Sequence, residues 1–346
     1  MTGAPAPDAR AILDVSDLHV EFDTYGGVVK AVRGAGFSVG AGKTLAIVGE
    51  SGCGKSVSVQ AVMGLIPMPP GRITRGTALV DGVDIIRQKI VNGQDVRGSR
   101  IGMIFQDPMS ALNPTMRVGD QIAETLQVHR GYSKRKAFAR AVEVLATANI
   151  PEAEQRAGQY PFAFSGGMLQ RAMIAMAIAC EPAVLIADEP TTALDVTIQA
   201  QILDLLKELQ RRNGMAIVLI THDLGVVARM ADEVVVMYAG EIVEKGSVDD
   251  VFYRAAHPYT LGLKAAMPSQ SRSKEVGLRP IEGTPPDLFR PPEGCGYFAR
   301  CPYAMRLCEP RRPLRFDVEP GHHALCWLHH PDAPRRADEL HRGARA

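Results

Sequence analysis

The sequence has no long hydrophobic run. Nothing in it approaches the roughly 20 consecutive apolar residues that a membrane-spanning helix requires, so the chain is expected not to cross a bilayer. It has almost no net charge: 39 Lys and Arg stand against 38 Asp and Glu, which disfavours nucleic acid as the main partner, because phosphate backbones select basic surfaces. The start, MTGAPAPDAR, lacks the basic-then-apolar pattern of a signal peptide, which points to the cytoplasm, where thiols stay reduced. No internal repeat is visible. Cysteine is scarce over most of the chain and then concentrated, four of six falling in the last 52 residues. Composition does not explain that clustering.

Short, continuously apolar runs are present instead. Leu45–Val48, Val184–Ala187, Ala216–Ile220 and Val234–Met237 read as strands buried on both faces, as in a parallel sheet covered by helices. Ile198, Ile202, Leu205, Leu206 and Leu209 recur at helical spacing between two of them. Alternation of strand and helix predicts an α/β core. Ahead of it, Leu18, Val20 and Phe22 alternate, and Gly26-Gly27 turns into a second strand through Val28 to Val32, which predicts an antiparallel β layer. Residues 107–160 carry helical patterns without a buried strand run and read as a helical insertion. The expected organisation is a disordered tail over 1–10 and a core domain over 11–256, whose helical part spans about 107–180. A C-terminal appendage, poor in regular structure, follows over 257–330, and a tail over 331–346.

Three motifs carry chemistry. Gly49-Glu50-Ser51-Gly52-Cys53-Gly54-Lys55-Ser56 fits the P-loop pattern and stands between a strand run and a helix-compatible stretch. Its glycines let backbone N–H groups turn toward phosphates; Lys55 can reach the β- and γ-phosphates and Ser56 can ligate Mg²⁺. Cys53 reads as a small filler rather than a reactive thiol, and Cys180 as core. Val184–Asp188 ends in a carboxylate that can hold the Mg²⁺, and Glu189 follows it. Ser165-Gly166-Gly167 opens a helix and forms an anion site, or, standing alone, an ordinary N-cap.

Taken in order, Gly49–Ser56, Gln106, Phe164-Ser165-Gly166-Gly167-Met168, Asp188-Glu189, Asp195 and His222 resemble the ATP-binding subunit of an ABC transporter over about residues 10–250. Phe164 and Met168 depart from the commonest signature, while Ser165 and the glycine pair remain. The resemblance implies a P-loop (RecA-like) ATPase core working as a head-to-tail dimer, with the Ser-Gly-Gly turn of one copy facing the P-loop of the other across ATP. It implies that Glu189 is the general base and that His222 contacts the γ-phosphate and holds Glu189 and water in line. Gln106 would touch metal and water and sense the membrane subunits, and Asp195 would lie at the dimer interface. It further implies an aromatic stacked on adenine: Phe22, or Tyr25 as the alternative.

Tyr160-Pro161, His257-Pro258-Tyr259-Thr260, Ile281–Pro286 and Gly294–Pro302 narrow the resemblance to the ATP-binding subunits of dipeptide and oligopeptide importers, to about residue 330. Phe162 is a departure, standing where that family often has His. Nickel and opine importers share this tail pattern less completely. Soluble ABC ATPases of repair or translation usually bring tandem ATPase domains, coiled-coil arms or basic surfaces, which are missing here. The implied partners are a second ATPase subunit, identical or homologous, two membrane permease subunits and an extracellular substrate-binding protein. The implied place is the cytoplasmic face of the membrane.

The late cysteines, Cys295, Cys301, Cys308 and Cys326, are spaced Cys-x5-Cys-x6-Cys-x17-Cys. In a reducing compartment such a group points to metal before disulfide. The tight Cys-x2–4-Cys knuckles of structural zinc are missing, whereas four thiolates from a loop-rich segment also suit a [4Fe–4S] cluster. Importer subunits with this motif are thought to carry such a cluster, and the resemblance places iron–sulfur ahead of zinc or unmetallated thiols. Tyr297, Phe298, Met305, Leu307 and Trp327 would shield it. His322 or His323 could replace one thiolate, but four sulfurs already complete a tetrahedral set.

Overall fold

The computed structural model describes residues 11–87, 90–91, 94–192, 194–266, 280–334 and 340. The 1–10 segment and most of 331–346 lie outside the described residues, as does 267–279 of the appendage. Among the described residues no helix is long and apolar enough to cross a membrane.

The main sheet has eight strands. Its parallel core runs, in spatial order, Glu233–Tyr238, Thr44–Val48, Ala216–Ile220, Val184–Asp188 and Ile101–Ile104. Both faces of this sheet are covered, which explains the unbroken apolar runs. Along Ala216–Ile220, Ile217 and Leu219 join the core under the helices, while Ala216, Val218 and Ile220 join the core between the two sheets. Leu185 and Ala187 divide from Val184 and Ile186 in the same way. Period-2 geometry thus gives each face of the sheet its own core.

The second sheet is antiparallel, with strands Gly27–Gly40, Ala11–Thr24, Gly71–Val80 and Val83–Asp84 side by side. The turn at Gly26-Gly27 is present, and the second strand extends well past Val32 to Gly40. The helical layer contains Val118–Arg130, Lys134–Thr147 and Gly166–Ile178. Gly131, in a left-handed conformation at φ 64°, ends the first, and the Ser133 side chain caps the second.

The appendage is more regular than its Pro-rich sequence suggests. Phe316–Glu319 and His322–Ala324 form a hairpin that adds to the edge strand Glu241–Ser247 of the main sheet. Leu340 is buried against this region with Ala256, Ala324 and Leu328. Pairing with a pre-existing sheet edge supplies backbone partners that local propensity does not reveal.

Candidate nucleotide site

Four neighbouring strands of the parallel core deliver the motif residues at their carboxyl ends, where open α/β sheets place ligand sites. Thr44–Val48 leads into the P-loop, Val184–Asp188 ends at the acidic pair, Ala216–Ile220 precedes His222, and Ile101–Ile104 precedes Gln106.

The P-loop depends on two glycines. A Cβ on Gly49 would stand 2.2 Å from the Met237 carbonyl oxygen, and one on Gly54, at φ 103°, 2.5 Å from that of Ala31. Lys55 is buried and its Nζ donates to the Gly49 and Glu50 carbonyls at 2.9 and 3.0 Å. Ser51 and Gly52 are exposed, on the open side of the loop. Cys53 is buried, and burial pushes its thiol above the usual range, in keeping with a filler. Ser56 Oγ donates to Asp188 Oδ1 at 3.0 Å. Burial raises the Asp188 carboxyl, and the Ser56 hydrogen bond opposes that shift. Ser56 and Asp188 therefore form an adjoining pair of oxygen donors suited to Mg²⁺.

Glu189 is the hub of a second cluster. Its Oε2 accepts from Gln106 Nε2 at 3.1 Å and from Thr192 Oγ1 at 2.9 Å, and its Oε1 lies 3.3 Å from His222 Nδ1. Its backbone is left-handed at φ 48°, unusual for a residue with a side chain and common where function over-determines the conformation. His222 is exposed beside it. Gln106, Glu189 and His222, scattered over the sequence, are thus one polar group. Thr192 was not singled out from the sequence, although it lies three residues after Glu189.

The Ser-Gly-Gly turn is elsewhere in character. Ser165 caps the helix Gly166–Ile178 by accepting from the Met168 N–H, and nothing lies within 4 Å of a Cβ placed on Gly166. Asp195 similarly caps Val196–Asn213 by accepting from the Ile198 N–H at 3.0 Å. Both turns are exposed and available to a second molecule. Of the two aromatic candidates, Phe22 packs against the core between the sheets, while Tyr25 projects fully exposed from the hairpin turn.

The four late cysteines converge. Cys295, Cys301, Cys308 and Cys326 all line one small, apolar cavity of about 10 Å³, together with His257, Tyr297, Phe298 and Trp327. No disulfide links them. Burial pushes the Cys295 thiol up to about 11, with Cys308 adding to the shift. Burial raises Cys326 as well, reinforced by the other three cysteines. In donor type and number they fit a four-sulfur centre. Their positions do not form a ready single-ion site: among the described residues, no three His, Cys, Asp or Glu side chains are grouped so as to hold a metal ion. Two readings of this region need correction. Leu307 is exposed and does not line the cavity, because its short 3₁₀ turn directs Cys308 inward instead. His322 and His323 do not line the cavity: His322 Nε2 lies 2.9 Å from Glu244 Oε1 and His323 Nδ1 faces Asp317 at 3.1 Å.

A phosphate loop after the parallel strand Thr44–Val48, an adjacent Ser–Asp pair, a Gln–Glu–His cluster and an exposed Ser-Gly-Gly helix start define an ABC-type ATPase. The ABC transporter family description matches residues 32–192, and that of the oligopeptide/dipeptide transporter C-terminal region matches residues 243–308. The oligopeptide transport ATP-binding protein OppD of Bacillus subtilis (strain 168) is 56% identical over 324 residues, covering 94% of this chain and 90% of its own. The dipeptide transport ATP-binding protein DppD of the same organism is 52% identical, covering 92% and 94%. Among solved structures, the ATP-binding cassette MJ0796, in a dimeric post-hydrolysis state bound to ADP and Pi, is 26% identical. It superposes with a TM-score of 0.60 over 68% of this chain and 98% of its own. The chain belongs to the ABC-transporter ATP-binding proteins, in the branch that carries the oligopeptide/dipeptide transporter C-terminal region, and it is an ATPase.

Proposed function

We propose that this protein hydrolyses ATP to drive import of di- and oligopeptides through two membrane permease subunits. The observation that carries this reading is the union of a complete nucleotide site with the transporter C-terminal region over 243–308, in a chain at least half identical to OppD and DppD. It would sit peripherally on the cytoplasmic face of the membrane, paired with a second ATPase subunit, while an extracellular binding protein delivers cargo.

In this reading the P-loop amides cradle the phosphates and Lys55 Nζ leaves the Gly49 and Glu50 carbonyls for the β- and γ-phosphates. Ser56, Asp188 and Gln106 would hold Mg²⁺, which would neutralise phosphate charge when bound. Glu189 orients and deprotonates water, steadied by His222 and Thr192. Ser165, Gly166 and Gly167 face the partner's P-loop, and Asp195 lies near the same interface. Tyr25, with its free ring, stacks on adenine in preference to Phe22.

The four thiols are proposed to hold a [4Fe–4S] cluster in preference to zinc. Four sulfurs around one apolar cavity support a centre, and the Cys-x5-Cys-x6-Cys-x17-Cys spacing lacks the tight knuckles of structural zinc. Metal analysis of anaerobically purified protein should give about four irons per chain; one zinc without iron would reject the cluster. Transport is tested in a strain lacking the gene: uptake of a radiolabelled tripeptide should fall and return with the wild-type gene but not with Glu189→Gln. Undiminished peptide uptake alongside lost uptake of a nickel chelate would assign a different cargo.

A further inference from the structure

The phosphate loop is held from outside the ATPase core. Glu50, its second residue, has all of its polar groups engaged. Its carbonyl accepts from Lys55 Nζ at 3.0 Å, and its N–H donates to Tyr259 Oη at 2.8 Å. Its carboxylate takes a two-pronged ion pair from Arg300: Nη1 to Oε2 at 2.6 Å and Nη2 to Oε1 at 3.0 Å. Tyr259 and Arg300 both belong to the C-terminal region, and Arg300 is the residue immediately before Cys301.

Arg300 is anchored for this task. Its side chain is only 4% exposed, against 28% for Glu50. Nε donates to the Glu282 carbonyl at 3.0 Å, Nη2 to that of Ile281 at 3.2 Å and Nη1 to Tyr238 Oη at 3.2 Å. Tyr238, Tyr259 and Tyr297 pack ring against ring beneath it, with centroids 4.5 to 5.3 Å apart. A guanidinium fixed at both ends of its fork has little freedom left to lose, so its contact with Glu50 is pre-organised.

Electrostatics gives this contact a purpose. A carboxylate in a loop that receives a triphosphate repels its ligand unless it is neutralised, and partial burial weakens screening by solvent. Arg300 supplies the missing positive charge without entering the cradle. Tyr259 fixes the backbone of the same residue, whose carbonyl holds Lys55.

We propose that Arg300 is a positioning residue for nucleotide binding: it cancels the Glu50 charge and, with Tyr259, fixes the posture of the phosphate loop, so that the C-terminal appendage sets the affinity for ATP. This rests on the nucleotide reading of the loop. The test is titration of the full-length chain with N-methylanthraniloyl-ATP and Mg²⁺, with melting temperature recorded for each variant. Wild type should bind and Lys55→Ala should not; a wild-type chain that fails to bind overturns the nucleotide reading and this proposal with it. Arg300→Met should raise Kd about tenfold or more, the loss of one charge-assisted contact. Adding Glu50→Gln to Arg300→Met should bring Kd back toward wild type, because the uncancelled charge is gone, and Arg300→Lys should fall between. A Kd for Arg300→Met within twofold of wild type would overturn the proposal. So would a raised Kd that Glu50→Gln leaves unchanged, the result a merely structural role gives.

Discussion

Replacing Glu244 by Leu should loosen the C-terminal segment from the ATPase sheet. This carboxylate is 1% exposed, on the strand Glu241–Ser247. It accepts from the Ala256 and His257 amides at 2.7 and 2.9 Å and from Thr260 Oγ1 at 2.5 Å, and it meets His322 Nε2 at 2.9 Å. Its partners come from the approach to the helix Pro258–Ala265 and from the strand His322–Ala324, so one side chain ties two parts of the appendage to the core. Leucine nearly fills the volume, and the loss is therefore one of pairing rather than of packing. Each buried donor left without an acceptor costs about 1–3 kcal/mol. Neighbours that loosen recover water, so the total should approach the roughly 3–5 kcal/mol seen when one member of a buried charged network is removed. That is a large share of the 5–15 kcal/mol typical of a domain. Urea unfolding followed by circular dichroism should show the loss. Hydrogen exchange should place it, with protection falling at 256–261 and 322–324 while Ala216–Ile220 stays protected. A destabilisation below about 1 kcal/mol, or exchange accelerating equally through the parallel core, would refute the reasoning.

Glu189→Gln should keep ATP binding but slow hydrolysis by roughly 10²-fold or more, because the amide preserves the shape of the Gln106–Thr192–His222 cluster without a base; steady-state ATPase assays decide, and near-wild-type turnover would remove Glu189 from that role. Gly54→Ala should abolish ATP binding, since the added Cβ meets the Ala31 carbonyl oxygen at 2.5 Å; retained binding of the fluorescent nucleotide would contradict the loop geometry. Burial alone would raise the Asp250 carboxyl, but hydrogen bonds from Ser247 and Arg254 outweigh it and hold it at about 2. A carboxyl lowered in the folded state stabilises above its unfolded value near 4 and loses that contribution as pH falls toward 2. Asp250→Asn should therefore flatten the melting-temperature profile between about pH 4 and pH 2, and an unchanged slope would deny the carboxyl its part.

The nucleotide chemistry was legible in the sequence because it is local. A P-loop works through consecutive residues: Gly49 and Gly54 permit the backbone path, and Lys55 and Ser56 follow from it. The apolar runs announced buried strands because a strand covered on both faces needs no alternation, as Ala216–Ile220 shows. Gln106, Glu189 and His222 were identifiable singly, through family resemblance. Their assembly around one carboxylate needed strands from distant parts of the chain to lie side by side.

The appendage was hardest to read. Its two short strands exist because the edge at Glu241–Ser247 offers unpaired backbone groups, a condition no local pattern encodes. Sequence order likewise hid Arg300, which lies 250 positions from Glu50 and beside Cys301. By itself the sequence determined the phosphate loop, the strand-and-helix alternation and the presence of four late cysteines, all properties of neighbouring residues. Only the tertiary structure decided that the cysteines share one cavity, that Glu244 fastens the appendage and that Arg300 reaches the phosphate loop. Each of these depends on burial and on charge pairing across long chain separations, and those exist only once the sheet has formed.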